Sequence, residues 1–546
     1  MDVKKIPVLY LSFHCRIVYS IFNSLLYADA LLRQCRKTNG LTGGNKVKYQ
    51  SSRGKHSSIT AAEAIKMGIA PDGGLFVPDH IPQLSAEIRK AMLDQSYQAR
   101  ACSILTLYLE EFSGEEIQEC VSAAYNQENF SSEKIVPLVK IADEIFIQEL
   151  WHGPTCAFKD MALQILPRLL SCSVKKTGED KEIVILVATS GDTGKAALEG
   201  FKDVAGSKII VFYPAEGVSE VQKRQMITQE GRNVFVSSVA GNFDDAQSGV
   251  KKIFADEDFI SRLNQNDMKM SSANSINWGR LLPQIVYYIS SYMDLCQTGQ
   301  IKNGDAVNVV VPTGNFGNIL AAYYARAMGI PIKKLICASN SNNVLTEFIR
   351  SGIYNRNRDF EKTISPSMDI LISSNLERLL YELTAHDAAA VANWMEELRL
   401  KGRYEVDEAV KEQLSRLFWA DYASDQDTMT TIAQVWQEHN YLLDTHTAVA
   451  YCVYQRYRQN TGDLTPSIIA STASPFKFAG SVAQALLGEE RLADQSEFAI
   501  IDILADYTGQ TIPRAIKELE HKKILHQTST SREQMDKTVL NFLGIE

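Results

Sequence analysis

From about residue 140 onward, short runs of β-branched and other apolar residues alternate with stretches whose apolar positions recur every three to four residues. The first pattern predicts strands at 145–150, 183–188, 208–212, 234–239, 307–311, 335–338 and 467–470. Several of these carry few polar residues, as strands covered on both faces of a parallel sheet do. The second pattern predicts helices between them, and strand alternating with helix argues for an open α/β architecture. Residues 58–130 combine helical patterns with one turn-rich segment at 70–78, where Pro71-Asp72-Gly73-Gly74 is a strong turn signal. Residues 376–460 read mostly as amphipathic helices, 388–399 among them. The tail from Glu489 is charged and helical in pattern, with Ile512-Pro513 at a helix start. No internal repeat and no low-complexity linker interrupts this order.

The first 46 residues break the pattern. Residues 1–5 are basic and 6–32 largely apolar, which invites a signal peptide or membrane anchor. His14, Cys15 and Arg16 interrupt the apolar run, and no small-residue cleavage site follows it cleanly. We favour a third reading, that this stretch is not native protein. Gly43-Gly44-Asn45-Lys46 suits a purine-rich, ribosome-binding-like segment before a GTG start at Val47, and no methionine falls between Met1 and Met67.

Composition narrows the class. Hydrophobic residues make up 45% and charged residues 22%, enough for a sizeable soluble core. A net charge of −9 and a pI near 5.7 give no electrostatic reason to expect nucleic acid or an anionic membrane as partner. Nine cysteines lie scattered with no C-x-x-C pair, which favours reduced thiols in a cytosol over a disulfide framework or a zinc site. The nine histidines form no H-E-x-x-H.

Five segments could carry chemistry, each just after an expected strand except the fourth. His152-Gly153-Pro154-Thr155-Cys156-Ala157-Phe158-Lys159-Asp160 places a lysine at a helix start, where the helix dipole repels a cation and favours the neutral amine. Most lysines in such settings are surface residues, so the segment alone decides nothing. Ala188-Thr189-Ser190-Gly191-Asp192-Thr193-Gly194-Lys195 offers backbone N–H groups for an anion. It is no nucleotide P-loop, because Thr189 stands where the first glycine is needed and Ala196 where Ser or Thr is needed. Pro312-Thr313-Gly314-Asn315-Phe316-Gly317-Asn318 is a glycine-rich turn suited to a phosphate monoester, with two amides as added donors. A plain strand-turn-helix connection would look the same. Asn274-Ser275-Ile276-Asn277-Trp278-Gly279-Arg280 gathers amides, a hydroxyl and an arginine fit for a second phosphate or a carboxylate, against the alternative of a capped helix with a solvated arginine. Ala470-Ser471-Thr472-Ala473-Ser474-Pro475-Phe476-Lys477 puts hydroxyls at a strand end, to meet a heterocycle nitrogen or merely to cap a helix.

Together these segments resemble threonine synthase of the longer type found in bacteria and fungi. The resemblance runs from Lys48 to the C-terminus. It includes Ser51-Ser52-Arg53-Gly54, the segment at 70–78 and Ser365-Pro366-Ser367-Met368-Asp369 with its continuation to Asn375. Asp444-Thr445-His446-Thr447-Ala448 matches the family's Asp-Pro-His-Thr-Ala with threonine for proline. The family's Thr-Ala-His-Pro-Ala-Lys-Phe appears with Ser474 and Phe476 in place of histidine and alanine, and Asn318 stands where the family often has aspartate.

The resemblance implies an α/β protein of the tryptophan-synthase β-like PLP fold (fold type II), two open α/β domains with the cofactor in the cleft between them plus helical additions. The chain would then divide into an N-terminal extension (1–46), an N-terminal threonine synthase domain (47–135), a catalytic core of two subdomains (136–480, helical insertion about 376–460) and a C-terminal helical segment (481–546). Lys159 would hold pyridoxal 5'-phosphate as a Schiff base. Gly314, Asn315, Phe316, Gly317 and Asn318 would cradle its phosphate, and Thr472 would meet the pyridine nitrogen. Asp192 would lie near the ring. Ser190 and Thr193 would take the substrate carboxylate, and Asn274, Ser275 and Arg280 the substrate phosphate. The implied reaction is O-phospho-L-homoserine plus water giving L-threonine and phosphate, by a cytoplasmic monomer or homodimer with no nucleic acid, membrane or metal. The rivals are a related lyase giving 2-oxobutanoate, a threonine or serine dehydratase, which needs no second phosphate site, and a non-catalytic PLP-binding protein.

Overall fold

The computed structural model describes residues 46–189, 191–216 and 218–545, the side chains of Phe243 and Asp244 apart. The expectation for the N-terminal extension therefore falls, Lys46 excepted, outside the described residues, as does Ser190.

The strands in chain order are β1 (Tyr49–Ser51), β2 (Phe76–Pro78), β3 (Leu138–Ala142), β4 (Ile145–Glu149), β5 (Glu182–Ala188), β6 (Ser207–Pro214), β7 (Val234–Val239), β8 (Met268–Ser271), β9 (Val307–Pro312), β10 (Ile332–Ser339), β11 (Ile353–Asn355), β12 (Arg403–Glu405), β13 (Phe418–Tyr422), β14 (Ser467–Ser471) and β15 (Thr528–Thr530). They form two large sheets. One runs β13-β10-β9-β14-β4-β3, parallel except for the β3–β4 hairpin at its edge. The other runs β15-β7-β6-β5-β8 and is parallel throughout. The central strands are buried along their length: every residue of β9 and β14 is inaccessible, as a parallel strand covered by helices on both faces must be. The seven strands expected from apolar runs are all present, displaced by a few residues at their ends.

Three departures from the expected elements have physical causes. The stretch 376–460 is helical apart from β12 and β13, and β13 extends the first sheet by pairing with β10. Its sequence Phe-Trp-Ala-Asp-Tyr follows directly on the helix Glu408–Leu417, so its apolar residues read as a continuation of the helical stripe. β8, with the sequence Met-Lys-Met-Ser, is an edge strand with one covered side and carries too little apolar signal to show. The C-terminal segment is not wholly helical, because β15 pairs with β7 and closes the open edge of the second sheet.

The N-terminal residues pack on the long helix Trp278–Gln297. Trp278 is fully buried between Tyr49, Tyr108 and Tyr324, with ring centroids 5.4 to 5.7 Å away. Arg100, in helix Tyr97–Tyr108, reaches Asp294 at 2.5 Å and the Ser290 hydroxyl at 2.9 Å on the same long helix. This anchoring fixes the start of the helix Trp278–Gln297, and Arg280 lies in its first turn.

Candidate active site

Three turns come from the C-terminal ends of strands that lie side by side, β9, β14 and β4. Open parallel sheets place ligands at such ends. After β4 the chain folds back under Thr472: the Phe158 N–H donates to the Thr472 carbonyl at 2.8 Å, and Ala157 bridges Ala473. Buried Asp160 accepts from the Thr155 N–H at 2.8 Å and the Thr155 hydroxyl at 2.7 Å. A side chain at Gly153 would collide with Asp160 at about 2.4 Å, so the turn closes only with glycine there. This framework holds Lys159 at the head of the short helix Asp160–Leu163.

The Lys159 amine lies 3.3 Å from the Ser367 hydroxyl and 3.7 Å from the Asp192 carboxylate. Burial pushes its pKa down; Asp192 opposes that shift, while the charges of Lys477 and Arg280 add to it. The net direction favours the neutral, nucleophilic amine. The expectation from sequence rested on the helix dipole, whereas the causes found in the structure are desolvation and the like charges nearby.

Asp192, the first residue of helix Asp192–Phe201 beyond β5, is the negative centre of this group. Its carboxylate takes the Lys477 ammonium at 2.9 Å, the Gln222 amide at 2.9 Å and the Ser367 hydroxyl at 3.0 Å. Burial alone would raise its pKa, but Lys477 and Lys159 beside it, with the hydrogen bonds, hold it well below the usual carboxylate range. Lys477 is fully buried and also donates to the Thr155 carbonyl at 2.8 Å. Gly191, at φ 147°, brings the backbone close enough that an added Cβ would meet the Gln222 amide at 2.5 Å. Lys195 turns away from the cleft to Glu199 at 3.0 Å and to Gln229.

Ser367 is itself held from behind. Its backbone N–H donates to His446 Nε2 at 3.1 Å, and His446 Nδ1 lies 3.1 Å from Asp444. A backbone N–H can only donate, so Nε2 carries the lone pair and Nδ1 the proton.

The turn Gly314–Asn318 leads from β9 into helix Gly317–Ala327 through Phe316 in the left-handed region, φ 62°. Asn375 ties down the Asn315 carbonyl with its backbone N–H at 3.1 Å and its amide at 3.0 Å, and Ser373 donates to the Gly314 carbonyl at 2.8 Å. Asn318 Oδ1 accepts from the hydroxyls of Tyr287 and Tyr288, which leaves Nδ2 buried and without a partner. An orphaned donor beside a ring of backbone N–H groups is what an anion would satisfy.

A Cβ at Gly314 would lie 2.7 Å from the Ser367 carbonyl. Gly314→Ala should therefore push back the loop that carries Ser367, at a cost of about 1–3 kcal/mol in overpacking. The expected result is about 5- to 100-fold weaker uptake of the ring-bearing phosphate cofactor, at about 1.4 kcal/mol per decade. It is measured by spectroscopic titration of the apoprotein; unchanged affinity would count against the cradle.

On the second sheet, β5 and β8 are neighbours, so the turn holding Asp192 and Thr193 adjoins the one holding Asn274 and Ser275. Thr193 is half-buried at the cleft, and Thr189 sits beneath it with its hydroxyl accepting from the Gly191 and Gly194 N–H groups. Asn274 and Ser275 form the turn before helix Trp278–Gln297, and both are half-buried. Asn277 is spent on structure, with its amide donating to the Ile65 and Ser272 carbonyls. Arg280 is 3% exposed, donates from Nη1 to the Ala273 carbonyl at 2.6 Å, and has an unpartnered Nε. No carboxylate lies within 4 Å of it among the described residues, and burial brings its pKa down to about 10. A desolvated guanidinium with an unpartnered Nε and no counter-charge is one that an anion would satisfy.

Ser367, Lys477, Gln222 and His446 were not among the residues singled out by chemistry. Lys477 and His446 lay inside matched motifs, but nothing local distinguishes them from helix-terminal residues. Only the fold brings Lys477, Asp192 and Lys159 from three separate segments into contact.

Comparison with known proteins identifies the family. Models of three families match: Threonine synthase N terminus over residues 48–125, Pyridoxal-phosphate dependent enzyme over 131–469 and Threonine synthase, C-terminal over 447–528. Threonine synthase of Saccharomyces cerevisiae is 39% identical, over 81% of this chain and 89% of its own. Threonine synthase-like 1 of Homo sapiens is 42% identical over 79% of this chain, and the match spans only 58% of that longer protein. The crystal structure of PLP-bound threonine synthase from Brucella melitensis superposes with a TM-score of 0.81 at 35% identity, over 91% of this chain and 99% of the other.

Proposed function

We propose, from the premise that this chain belongs to the threonine synthase family of pyridoxal-phosphate dependent enzymes, that it converts O-phospho-L-homoserine and water to L-threonine and phosphate. The observation that carries this reading is Arg280. Its buried, unpaired guanidinium forms an anion site on the second sheet, separate from the turn Gly314–Asn318 on the first. A dehydratase of unphosphorylated amino acids would need only one of the two.

The residues present fit the cofactor. The orphaned Asn318 Nδ2, the cradle closed by Gly314 and the buried Thr472 at the end of β14 match a phosphate and a ring nitrogen, and Lys159 would hold the aldehyde carbon as a Schiff base. When bound, pyridoxal phosphate supplies the electron sink for proton loss at an amino acid's Cα and Cβ. The chain supplies the rest. Thr193, with Ser190, orients the substrate carboxylate. Lys159, as a free neutral amine, would be the base that takes the Cα proton and reaches Cβ. Ser367 steers that amine, and Asp192, already neutralised by Lys477, does not trap it as ammonium. Arg280, Asn274 and Ser275 hold the phosphate as it leaves Cγ. A hydroxyl at the ring nitrogen leaves that nitrogen uncharged, which favours elimination and replacement over transamination.

Among the described residues no helix is long and apolar enough to cross a membrane and no cluster of metal-binding side chains occurs. We place the protein in the cytoplasm, as a monomer or homodimer.

Phosphate release with product identification tests the function. The expected result is phosphate and threonine in equal amounts. Release of 2-oxobutanoate would assign the chain instead to a related lyase. No release would leave a binding protein. Arg280→Ala should lower kcat/KM for the phosphorylated substrate by about 10²-fold or more, since truncating a buried charge partner costs about 2–5 kcal/mol. Binding of the cofactor should be unaffected; a parallel loss of cofactor would contradict the two-site assignment.

A further inference from the structure

Outside the active site, one pair of reactive groups stands in contact without a role in the chemistry above. Cys120, on helix Gly114–Ala124, and Cys172, on helix Leu166–Lys176, have their sulfurs 3.8 Å apart. Cys120 is 4% exposed, whereas Cys172 is half-buried and meets solvent. The two helices are held in register by an ion pair four residues from each cysteine, Lys176 to Glu116 at 2.7 Å, and Lys176 also lies over the Phe112 ring. The thiols are therefore kept together by packing and charge.

Their acidities diverge. The hydrogen bond with Cys120 lowers the Cys172 pKa; burial and Glu116 oppose it, and Lys175 and Lys176 assist. The same hydrogen bond, with burial, pushes Cys120 up, against a weak pull from Arg168. Cys102, Cys156 and Cys337 are pushed up to about 12 by burial, and Cys296 and Cys452 are also raised. Cys172 is thus the one described thiol that combines access, thiolate character and an adjacent resolving thiol.

We propose that Cys172 and Cys120 form a thiol–disulfide exchange site, at which the Cys172 thiolate attacks a low-molecular-weight disulfide and Cys120 resolves the product to a Cys120–Cys172 cross-link. In the first step the Cys172 thiolate displaces one thiolate from the small disulfide, RSSR, giving a mixed disulfide and RS⁻. In the second, Cys120 gives its proton to that RS⁻ or to solvent, attacks Cys172 Sγ, and expels the second RS⁻, which takes up a proton. The balance is two protein thiols plus RSSR giving one protein disulfide plus two RSH, the protein oxidised and the small disulfide reduced. The cross-link joins the N-terminal unit to the helix that follows Lys159 in the chain and closes a loop of 52 residues. Such closure removes freedom from the unfolded chain.

The test uses the intact holoenzyme and glutathione disulfide at neutral pH, followed by alkylation of free thiols and peptide mapping by mass spectrometry. The expected product is a Cys120–Cys172 peptide pair two hydrogens lighter than the two thiols. Dithiothreitol should reverse it, and it should unfold at a higher denaturant concentration than the reduced protein. Iodoacetamide should modify Cys172 about 10-fold faster than the comparably exposed Cys296. In Cys120→Ser the glutathione should remain on Cys172; in Cys172→Ser neither adduct nor cross-link should form. A Cys172 no faster than Cys296, or a mixed disulfide that persists on wild-type Cys172 without cross-linking, would overturn the proposal. Both of those measurements are made on the wild type, so misfolding of a variant does not obscure them.

Discussion

Lys159→Ala should reduce phosphate release from O-phospho-L-homoserine by about 10²–10⁴-fold, because the variant lacks the amine proposed as the base and general acid–base help of this kind contributes ~10²–10⁴. The effect should fall on kcat. The fold should persist: Lys159 contributes one hydrogen bond, at 3.3 Å to Ser367, and a 3.7 Å approach to Asp192, whose closer partner Lys477 remains. Circular dichroism and thermal midpoint should stay near wild type. The phosphate cradle is untouched, so cofactor should still bind, but borohydride reduction should no longer fix it to the chain. Wild-type turnover by this variant would remove the central assignment, and loss of the fold would show that Lys159 is a structural residue.

The second large effect belongs to Lys477→Met. Lys477 and Asp192 form a buried pair at 2.9 Å, and removal of one partner from such a pair costs about 3–5 kcal/mol because the other charge is stranded. Denaturant unfolding should show that loss. The functional consequence is separate. Asp192 would turn to Lys159 as its remaining cation and hold that amine in the protonated form. Turnover at neutral pH should fall, and the acid limb of the rate profile should move upward. Lys477→Arg, which keeps the charge, should recover part of both effects. A variant with lowered stability and an unmoved pH profile would reduce Lys477 to a packing role.

The same pair sets a pH dependence of stability in the wild type. Asp192 has a folded-state pKa below its unfolded value, so its contribution is fully present above about pH 4 and is lost as pH falls from there toward the folded pKa. The denaturant midpoint should therefore drop on acidification below about pH 4, and the drop should be smaller in Lys477→Met, where loss of the neighbouring cation brings the folded pKa of Asp192 back up toward its unfolded value.

Much of this site was legible one segment at a time. Lys159, Gly314–Asn318 and Thr472 each follow an apolar run, and the runs proved to be β4, β9 and β14. Strand ends announce themselves because burial on both faces demands unbroken apolar sequence. Residues whose function rests on long-range contact did not announce themselves. Ser367 sits in a short 3-10 turn with no periodic signal, yet it bridges Lys159 and Asp192. Lys477 reads as an ordinary charge until the fold buries it. β13 was hidden because its apolar residues continue the stripe of the preceding helix. Asn277, grouped with Arg280 by spacing, turned out to cap the helix instead.

The position of β14 has a consequence for how the protein comes into being. In the first sheet it lies between β9 and β4, although both are made long before it: β4 ends at Glu149, whereas β14 begins at Ser467. During synthesis the middle of that sheet must wait, with two inner strand edges unpaired, until the last seventh of the chain emerges. Pairings between such distant segments form slowly and leave intermediates prone to aggregation. Thr472 and Lys477 arrive with the same strand, so a nascent chain can present the lysine and the phosphate turn without yet being able to use them. Cofactor capture should then act as a late checkpoint, stabilising only chains in which the final strand has threaded home.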